Sequence, residues 1–338
     1  MKKSDTINIL NKLTLQRIIN LFKLYSSFIF SRITKKSIVF GLPTALSIEP
    51  TTACNLGCPE CPSGLKEFTR KTGNLKTNLN NKIIDELHKK LLYINYYFQG
   101  EPFINPLIFE FIKKANSKNI YTSTSTNAHF LTPQNSIKTI ESGLDRLIIS
   151  IDGTSQKTYE LYRINGSLEK VISGTKNIIE AKKRLKSITP HLIFQFLVVK
   201  HNEHEINDAI ALSKKLGVNE IRFKTAQVYD YKNGNSLIPE NEKYSRYKLN
   251  KKGEFELKNK LYNHCWRMWS SSVVTIDGKL APCCFDKDAK YKIGDLKINT
   301  FNSIWHSQTY NNFRALILSN RKGVDICQNC SEGTKVWT

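Results

Sequence analysis

Cys54-Asn55-Leu56-Gly57-Cys58-Pro59-Glu60-Cys61 places three thiols at intervals of three and two residues, directly after the apolar run Ala45 to Ile48. Thiols this close in sequence can close on one metal cluster, and a 4Fe-4S cube takes four cysteines. Three local ligands therefore leave one iron with an open position, which separates a reactive metal site from a closed structural one. A zinc knuckle on the same three cysteines is the structural alternative.

The chain has 338 residues, 40% of them hydrophobic, enough for one large core and a smaller module. Eight cysteines without a cleavable signal peptide point to metal ligation in the reducing cytoplasm rather than to disulfides. Five of the eight lie beyond residue 264, which suggests a second metal module. A formal charge of +22 would suit nucleic acid, an anionic membrane or a phosphorylated substrate. Lysine is spread along the whole chain, however, and no basic tract interleaves with aromatics, so direct nucleic-acid binding is not expected.

Residues 1–41 read as a basic amphipathic helical segment. Eight Lys or Arg face one acid, Asp5, within the first 40 residues, and Leu15, Ile18, Ile19, Phe22, Tyr25 and Ile29 fall at helical spacing. Packing of that stripe against the catalytic domain is the expectation, with peripheral contact to an anionic membrane surface as its alternative. From about residue 42, short apolar runs alternate with longer helical patterns, which predicts successive βα units and a parallel sheet. The expected strands are Ala45 to Ile48, Tyr93 to Phe98, Ile120 to Ser125, Arg146 to Ile151, Leu192 to Val199 and Glu220 to Lys224.

Ligands of parallel α/β folds gather where strands end, and polar motifs stand there. Gln99-Gly100-Glu101-Pro102 follows the second strand and supplies a turn with a carboxylate able to accept from an ammonium. Ser125-Thr126-Asn127 closes the third. Ser150-Ile151-Asp152-Gly153 closes the fourth, with Arg163 shortly after it, and Gln195 interrupts the apolar fifth. Arg222 and Lys224 give the sixth strand one basic face. Residues 227–264 are polar and lysine-rich and read as a linker. Cys265, the hairpin pattern around Asp277-Gly278, Cys283-Cys284 and Cys327-Gln328-Asn329-Cys330 follow. A zinc ribbon is the structural alternative for that tail.

These motifs together resemble the radical S-adenosylmethionine (SAM) family with a C-terminal SPASM domain in its shortened, twitch form. The resemblance implies an α/β fold in which residues 42–226 curl into a partial (βα)6 TIM-like barrel, with 265–338 as an auxiliary iron-sulfur module. It implies that Cys54, Cys58 and Cys61 hold a 4Fe-4S cluster whose open iron is chelated by SAM. Reductive cleavage of SAM then yields a 5'-deoxyadenosyl radical that takes hydrogen from an unactivated carbon. Carried over residue by residue, Glu101 in the Gly100-Glu101-Pro102 turn partners the SAM amino group, and Asn127 occupies the loop beside the cluster. Ser150 and Asp152 meet the SAM ribose and carboxylate edge, Arg163 pairs with its carboxylate, and Gln195 contacts SAM. Glu60, Gln99 and Ala128 depart from the family pattern, which has an aromatic residue and two glycines there.

The same resemblance assigns Cys265, Cys283, Cys327 and Cys330 to one auxiliary 4Fe-4S cluster, the spacing from Gly278 selecting Cys283 over Cys284. Lys224 is the expected catalytic residue, orienting substrate or deprotonating a substrate radical. The implied activity is SAM-consuming oxidation of a small molecule or carbohydrate, as in the similar 2-deoxy-scyllo-inosamine dehydrogenase and anaerobic sulfatase-maturating branches. A flavodoxin- or ferredoxin-type reductant would supply the electron. The 41 residues ahead of the barrel look too few for the leader-recognition domain of many peptide-modifying relatives, so peptide maturation is the alternative, with a non-catalytic electron carrier as the rival outside enzymes.

Overall fold

The computed structural model describes residues 3–333. Met1, Lys2 and residues 334–338, at the two ends of the expected terminal segments, lie outside the described residues. Two helices, α1 (Lys3–Leu10) and α2 (Leu15–Thr34), precede the barrel. There β1 (Ala45–Ile48), α3 (Pro62–Leu65), α4 (Thr77–Leu87), β2 (Tyr93–Asn95), α5 (Ile108–Ser117), β3 (Tyr121–Thr126), α6 (Pro133–Glu141) and β4 (Arg146–Ser150) come in order. They are followed by α7 (Gln156–Tyr162), α8 (Leu168–Arg184), β5 (His191–Val198), α9 (Ile206–Leu216) and β6 (Glu220–Thr225). The first six strands pair in parallel in sequence order, the expected partial (βα)6 barrel. Helices α4, α5 and α8 bury an apolar side in the core. In α4, for example, Leu79, Ile83, Ile84 and Leu87 are buried at helical spacing.

In-register partners of a parallel ladder share a face. Ser125 pairs with Ile148, Ser150 with Gln195 and Gln195 with Arg222, so one side of the sheet carries a polar row toward the strand C-termini. Phe196 and Phe223 lie on the other side, their rings 5.7 Å apart, packed with Ala209 of α9. That alternation aims the motif side chains into the barrel.

The stretch expected as a linker is folded. It carries the hairpin β7 (Tyr247–Leu249) and β8 (Phe255–Leu257), with Tyr247 buried against Tyr231 and its hydroxyl donating to Asn329 Oδ1 at 2.9 Å. The auxiliary module follows as α10 (Arg267–Ser270), β9 (Ser271–Val274), β10 (Lys279–Ala281), β11 (Gly294–Asp295), α11 (Phe301–Trp305), α12 (Gln308–Asn320) and α13 (Asp325–Gln328). The hairpin read around Asp277-Gly278 is β9–β10, but it does not stand apart: β9 pairs in parallel with β1. The sheet therefore runs β11-β10-β9-β1-β2-β3-β4-β5-β6.

The N-terminal helices cover the opposite end of the strands from the motifs. Asp5 of α1 is buried, ion-pairs with Arg146 at the start of β4 (2.5 Å) and accepts from the hydroxyl of Tyr121 at the start of β3. The apolar stripe of α2 was expected inside, and the structure turns it out. Arg17, Asn20, Leu24, Ser27, Phe28 and Ser31 face the barrel instead. The reason is hydrogen bonding. Arg17 donates to the carbonyls of His88, Lys118 and Asn119 (2.9, 3.1 and 2.6 Å), capping the ends of α4 and α5, where helices leave orphan acceptors. Asn20 pairs with both backbone groups of Leu42, and Ser31 with both of Ile38. Leu24 and Phe28 add apolar packing, with Leu21 and Ile29 half-buried against the same core, and Phe28 lies 5.3 Å from the rings of Trp266 and Trp269.

Removing one partner of a buried ion pair strands the other charge and costs about 3 kcal/mol. Asp5→Ala should therefore lower unfolding stability by about that amount in urea titration, whereas Lys23→Ala on the exposed side should leave it within about 0.5 kcal/mol.

Candidate active site

The loop leaving β1 is held by close backbone approaches that side chains would forbid. Gly100 has φ 73°, and a Cβ there would stand 2.4 Å from the Thr51 carbonyl oxygen and 2.8 Å from that of Ala53. A Cβ on Gly64 would meet both the N and O of Cys58 at 2.6 Å. The Gln99–Pro102 turn and α3 thus press on the cysteine loop from two sides. Glu101 N donates to Ala53 O at 2.8 Å, and Gly100 N to the Ser63 hydroxyl at 2.8 Å.

Between them lies a cavity of about 200 Å³ at the C-terminal ends of the strands. Cys54, Cys58 and Cys61 line it together with Gly100, Glu101, Asn127, Ser150, Arg163 and Gln195. Burial pushes the Cys54 thiol up to about 11 and raises that of Cys58, the latter against the pull of Arg163. Burial therefore favours the protonated form of Cys54 and Cys58 without a metal, and both would release protons on ligation.

Glu101 is buried. Its carboxylate accepts from Thr126 Oγ1 (2.7 Å), Asn127 N (2.7 Å) and Phe103 N (3.2 Å), yet burial outweighs these donors and raises its pKa to about 7. One oxygen, Oε2, receives only the Asn127 N–H and retains acceptor capacity toward the cavity. Ala128 adopts φ 65°, the left-handed region where the family pattern has glycine, and Thr126 Oγ1 accepts from its N–H at 3.0 Å.

Three expected residues stand elsewhere. Asp152 is fully buried behind the cavity wall, where it accepts from Arg163 Nε (2.5 Å) and Leu197 N (2.7 Å); it positions Arg163, whose Nη1 reaches Cys58 Sγ at 3.6 Å. Pro102 opens a short 3-10 turn capped by the Glu101 side chain. Lys224 lies on the inner face of the sheet but on its edge strand, exposed, beside Glu332 and Arg267 of the auxiliary module rather than on the cavity.

Sequence reasoning missed Tyr97, Tyr162, Leu197 and Lys287 on the lining. Tyr97 follows Asn95 at strand period and Tyr162 precedes Arg163, so both carried a local signal; Lys287 did not. Its ammonium donates to Glu60 O at 3.2 Å and lies 4.5 Å from the Tyr229 ring centroid, while the Glu60 carboxylate accepts from Tyr229 N at 3.0 Å. Glu60, where the family has an aromatic residue, thus ties the cysteine loop to Tyr229.

In the auxiliary module, the thiols of Cys265, Cys327 and Cys330 surround Arg321, which donates to Cys330 Sγ at 3.5 Å and to His264 O at 2.7 Å. Gly333 packs against Cys265 so closely that a Cβ there would lie 2.3 Å from the sulfur. Cys283 packs against the core that contains Cys265 and Cys327, whereas Cys284 packs with Phe98, Val273, Ala281 and Ala289. In both places the donor set suits iron-sulfur chemistry: thiols, with backbone N–H groups or guanidinium groups aimed at sulfur.

The radical SAM superfamily model matches residues 48–220, just over half of the chain, and the SPASM iron-sulfur cluster-binding domain model matches residues 265–331. The chain belongs to the radical SAM superfamily. Membership brings a 4Fe-4S cluster and SAM, and the SPASM match brings auxiliary iron-sulfur ligation. Among curated relatives, this radical SAM chain is 29% identical over 179 residues to the AdoMet-dependent heme synthase of Methanosarcina barkeri, covering 52% of the chain and 48% of the relative. It is 26% identical over 206 residues to the PqqA peptide cyclase of Bradyrhizobium diazoefficiens, covering 59% and 51%. The chain spans about half the length of these relatives. In fold it is similar to BtrN in complex with AdoMet and 2-DOIA, with a TM-score of 0.55 at 17% identity over 87% of this chain and 95% of that one.

Because the folded-state pKa of Glu101 lies above its ordinary value, its contribution to stability is complete at low pH and is lost as pH rises through about 7. The melting temperature of Glu101→Gln minus that of wild type, measured without SAM, should therefore become more positive between pH 5 and 8 (about the window set by the two pKa values).

Proposed function

We propose that this radical SAM enzyme oxidises a small polar molecule, of the hydroxylated or carbohydrate class, bound where two cavities meet. The observation that carries this reading is the junction at Lys287 and Pro62. These residues line both the cysteine-loop cavity and a second one of about 570 Å³, bounded by Tyr229, Tyr231, Asp230, Asp286 and Asp288 among others. That volume lies within the range of small-molecule sites, and the lining offers hydrogen-bonding groups of both polarities.

In this reading Cys54, Cys58 and Cys61 hold the SAM-binding cluster, and Cys265, Cys283, Cys327 and Cys330 the auxiliary one. Bound SAM and the reduced cluster would supply a 5'-deoxyadenosyl radical that takes one hydrogen atom from the substrate. Lys287 would take the proton that the substrate radical then loses, and the auxiliary cluster would accept its remaining electron. Glu101 orients the SAM ammonium through its spare lone pair, and Arg163, fixed by Asp152, faces the SAM carboxylate with a planar fork. Asn127, Ser150 and Gln195 complete the polar wall, and Gly100 allows the turn to approach. Lys287 takes the role expected of Lys224. Burial lowers its pKa, against the pull of Cys61 and Glu60, which brings the amine closer to the range of a proton acceptor. Peptide modification is the second reading, supported by the similarity to the PqqA peptide cyclase.

Anaerobically reconstituted protein should carry about eight irons per chain and release 5'-deoxyadenosine from SAM under reduction. Cys58→Ala should abolish that release. Lys287→Ala should keep SAM cleavage but lower substrate turnover by about a hundredfold, the scale of a lost general base. Iron-loaded wild type that leaves SAM intact would overturn the radical SAM assignment of this cavity. Turnover of a peptide panel, with none of a panel of sugars and aminocyclitols, would replace the small-molecule reading with the peptide one.

A further inference from the structure

The outward face of the N-terminal helices gathers exposed apolar side chains along one stretch of the described residues. Ten of the 21 exposed large apolar side chains among the described residues fall between Ile7 and Phe40. On α2 they recur at helical spacing as Leu15, Ile18, Ile19, Phe22, Tyr25, Phe30 and Ile33, opposite the Arg17–Ser31 side that docks on the barrel. Leu15, Phe22 and Ile33 are 73, 71 and 73% exposed, so the barrel does not shelter them. Ile7 and Leu10 of α1 extend the patch, and Phe40 joins it through its ring, 6.3 Å from that of Phe30. Soluble surfaces rarely gather apolar groups in this way without a partner.

The exposed charges that the N-terminal segment itself brings to the patch have one sign. Lys23 and Arg32 are exposed and flank the stripe on α2, while Lys35 and Lys36 stand just beyond its end. Asp5, the one acid among residues 3–40, is buried against Arg146 and adds no negative charge to this surface. A cavity of about 320 Å³ at the end of the stripe has Ile29 and Ile33 beside Arg32, Lys35 and His264, an apolar wall with cations at its rim. Among the described residues no helix is long and apolar enough to cross a bilayer, and an apolar face with cationic flanks is the pattern of an interfacial helix. A symmetric contact with a second copy would set Lys23, Arg32, Lys35 and Lys36 against the same cations. An anionic lipid surface complements both features.

We propose that α1 and α2 seat the protein on the surface of an anionic phospholipid bilayer, lying in its plane with Phe22 and Ile33 inserted and the flanking cations at the headgroup phosphates. This placement does not depend on which substrate the cavity takes.

Flotation of the reconstituted full chain with phosphatidylcholine vesicles, with and without phosphatidylglycerol, tests it. The protein should float with phosphatidylglycerol vesicles, and raised salt should weaken that association. The double variant Phe22→Glu/Ile33→Glu, altered only at exposed positions, should lose at least about tenfold in vesicle partitioning while releasing 5'-deoxyadenosine at the wild-type rate. Lys35→Glu/Lys36→Glu should bind phosphatidylglycerol vesicles more weakly. The proposal is overturned if wild type stays at the bottom of the gradient, or if the Phe22→Glu/Ile33→Glu variant floats as wild type does. It is also overturned if sedimentation shows a wild-type dimer, unaffected by vesicles, that the variant splits; the occupant would then be a second copy.

Discussion

The structure depends on β1 being paired on both sides. Its backbone donates and accepts in one parallel ladder with β2 and in another with β9, so a four-residue strand joins the barrel to the auxiliary module. The cysteine loop leaves its C-terminal end. Glu49, the next residue, is buried and holds Arg70 through two hydrogen bonds of 2.7 and 2.6 Å while accepting from Ile276 N at the tip of the β9–β10 hairpin. A loop three cysteines wide thus hangs from a point fixed by sheet, ion pair and hairpin together. Pre-organisation of that kind keeps ligands in place before the group they hold arrives.

Around this anchor the cavity is costly to leave empty. A carboxylate, a guanidinium and three thiols share one buried space, and burial disfavours the ionised forms of Glu101, Cys54 and Cys58. Asp152 offsets part of that cost by neutralising Arg163 from behind. Glu101 has donors but no ion-pair partner among the described residues, and burial outweighs both those donors and the more distant pull of Arg163. A ligand carrying both an ammonium and a carboxylate would meet Glu101 with one and Arg163 with the other, which is why these residue types together define a polarity for whatever binds.

Much of this was readable in the sequence, for identifiable reasons. The strands follow from short apolar runs between helical periods, and the ligand-side loops follow from where those runs end. Asn127, Ser150 and Gln195 lie at or within three residues of a strand end and Glu101 six residues past one, whereas Arg163, just after α7, was indicated only by the family resemblance. What escaped depended on distance along the chain or on direction. The β1–β9 pairing joins segments more than 200 residues apart and has no local periodicity of its own. Lys287 meets Glu60 across 227 positions. Asp152 shares strand period with Ser150, but the strand ends between them and the carboxylate turns back to Arg163. The helix α2 misleads for another reason: its docking side is built from Arg17, Asn20 and Ser31 bonding to backbone, so the hydrophobic stripe marks the side that does not dock.

Arg17 has a mechanical implication. One guanidinium grips the turns at His88 and at Lys118–Asn119, which lead into β2 and β3. The far ends of those two strands carry Gln99 to Glu101 and Thr126 to Asn127. Force applied to α2 is therefore delivered to the roots of two adjacent staves of the barrel, whose tips form one wall of the cavity. The N-terminal helices are a handle fastened at the roots of two neighbouring strands rather than on the cavity loops themselves.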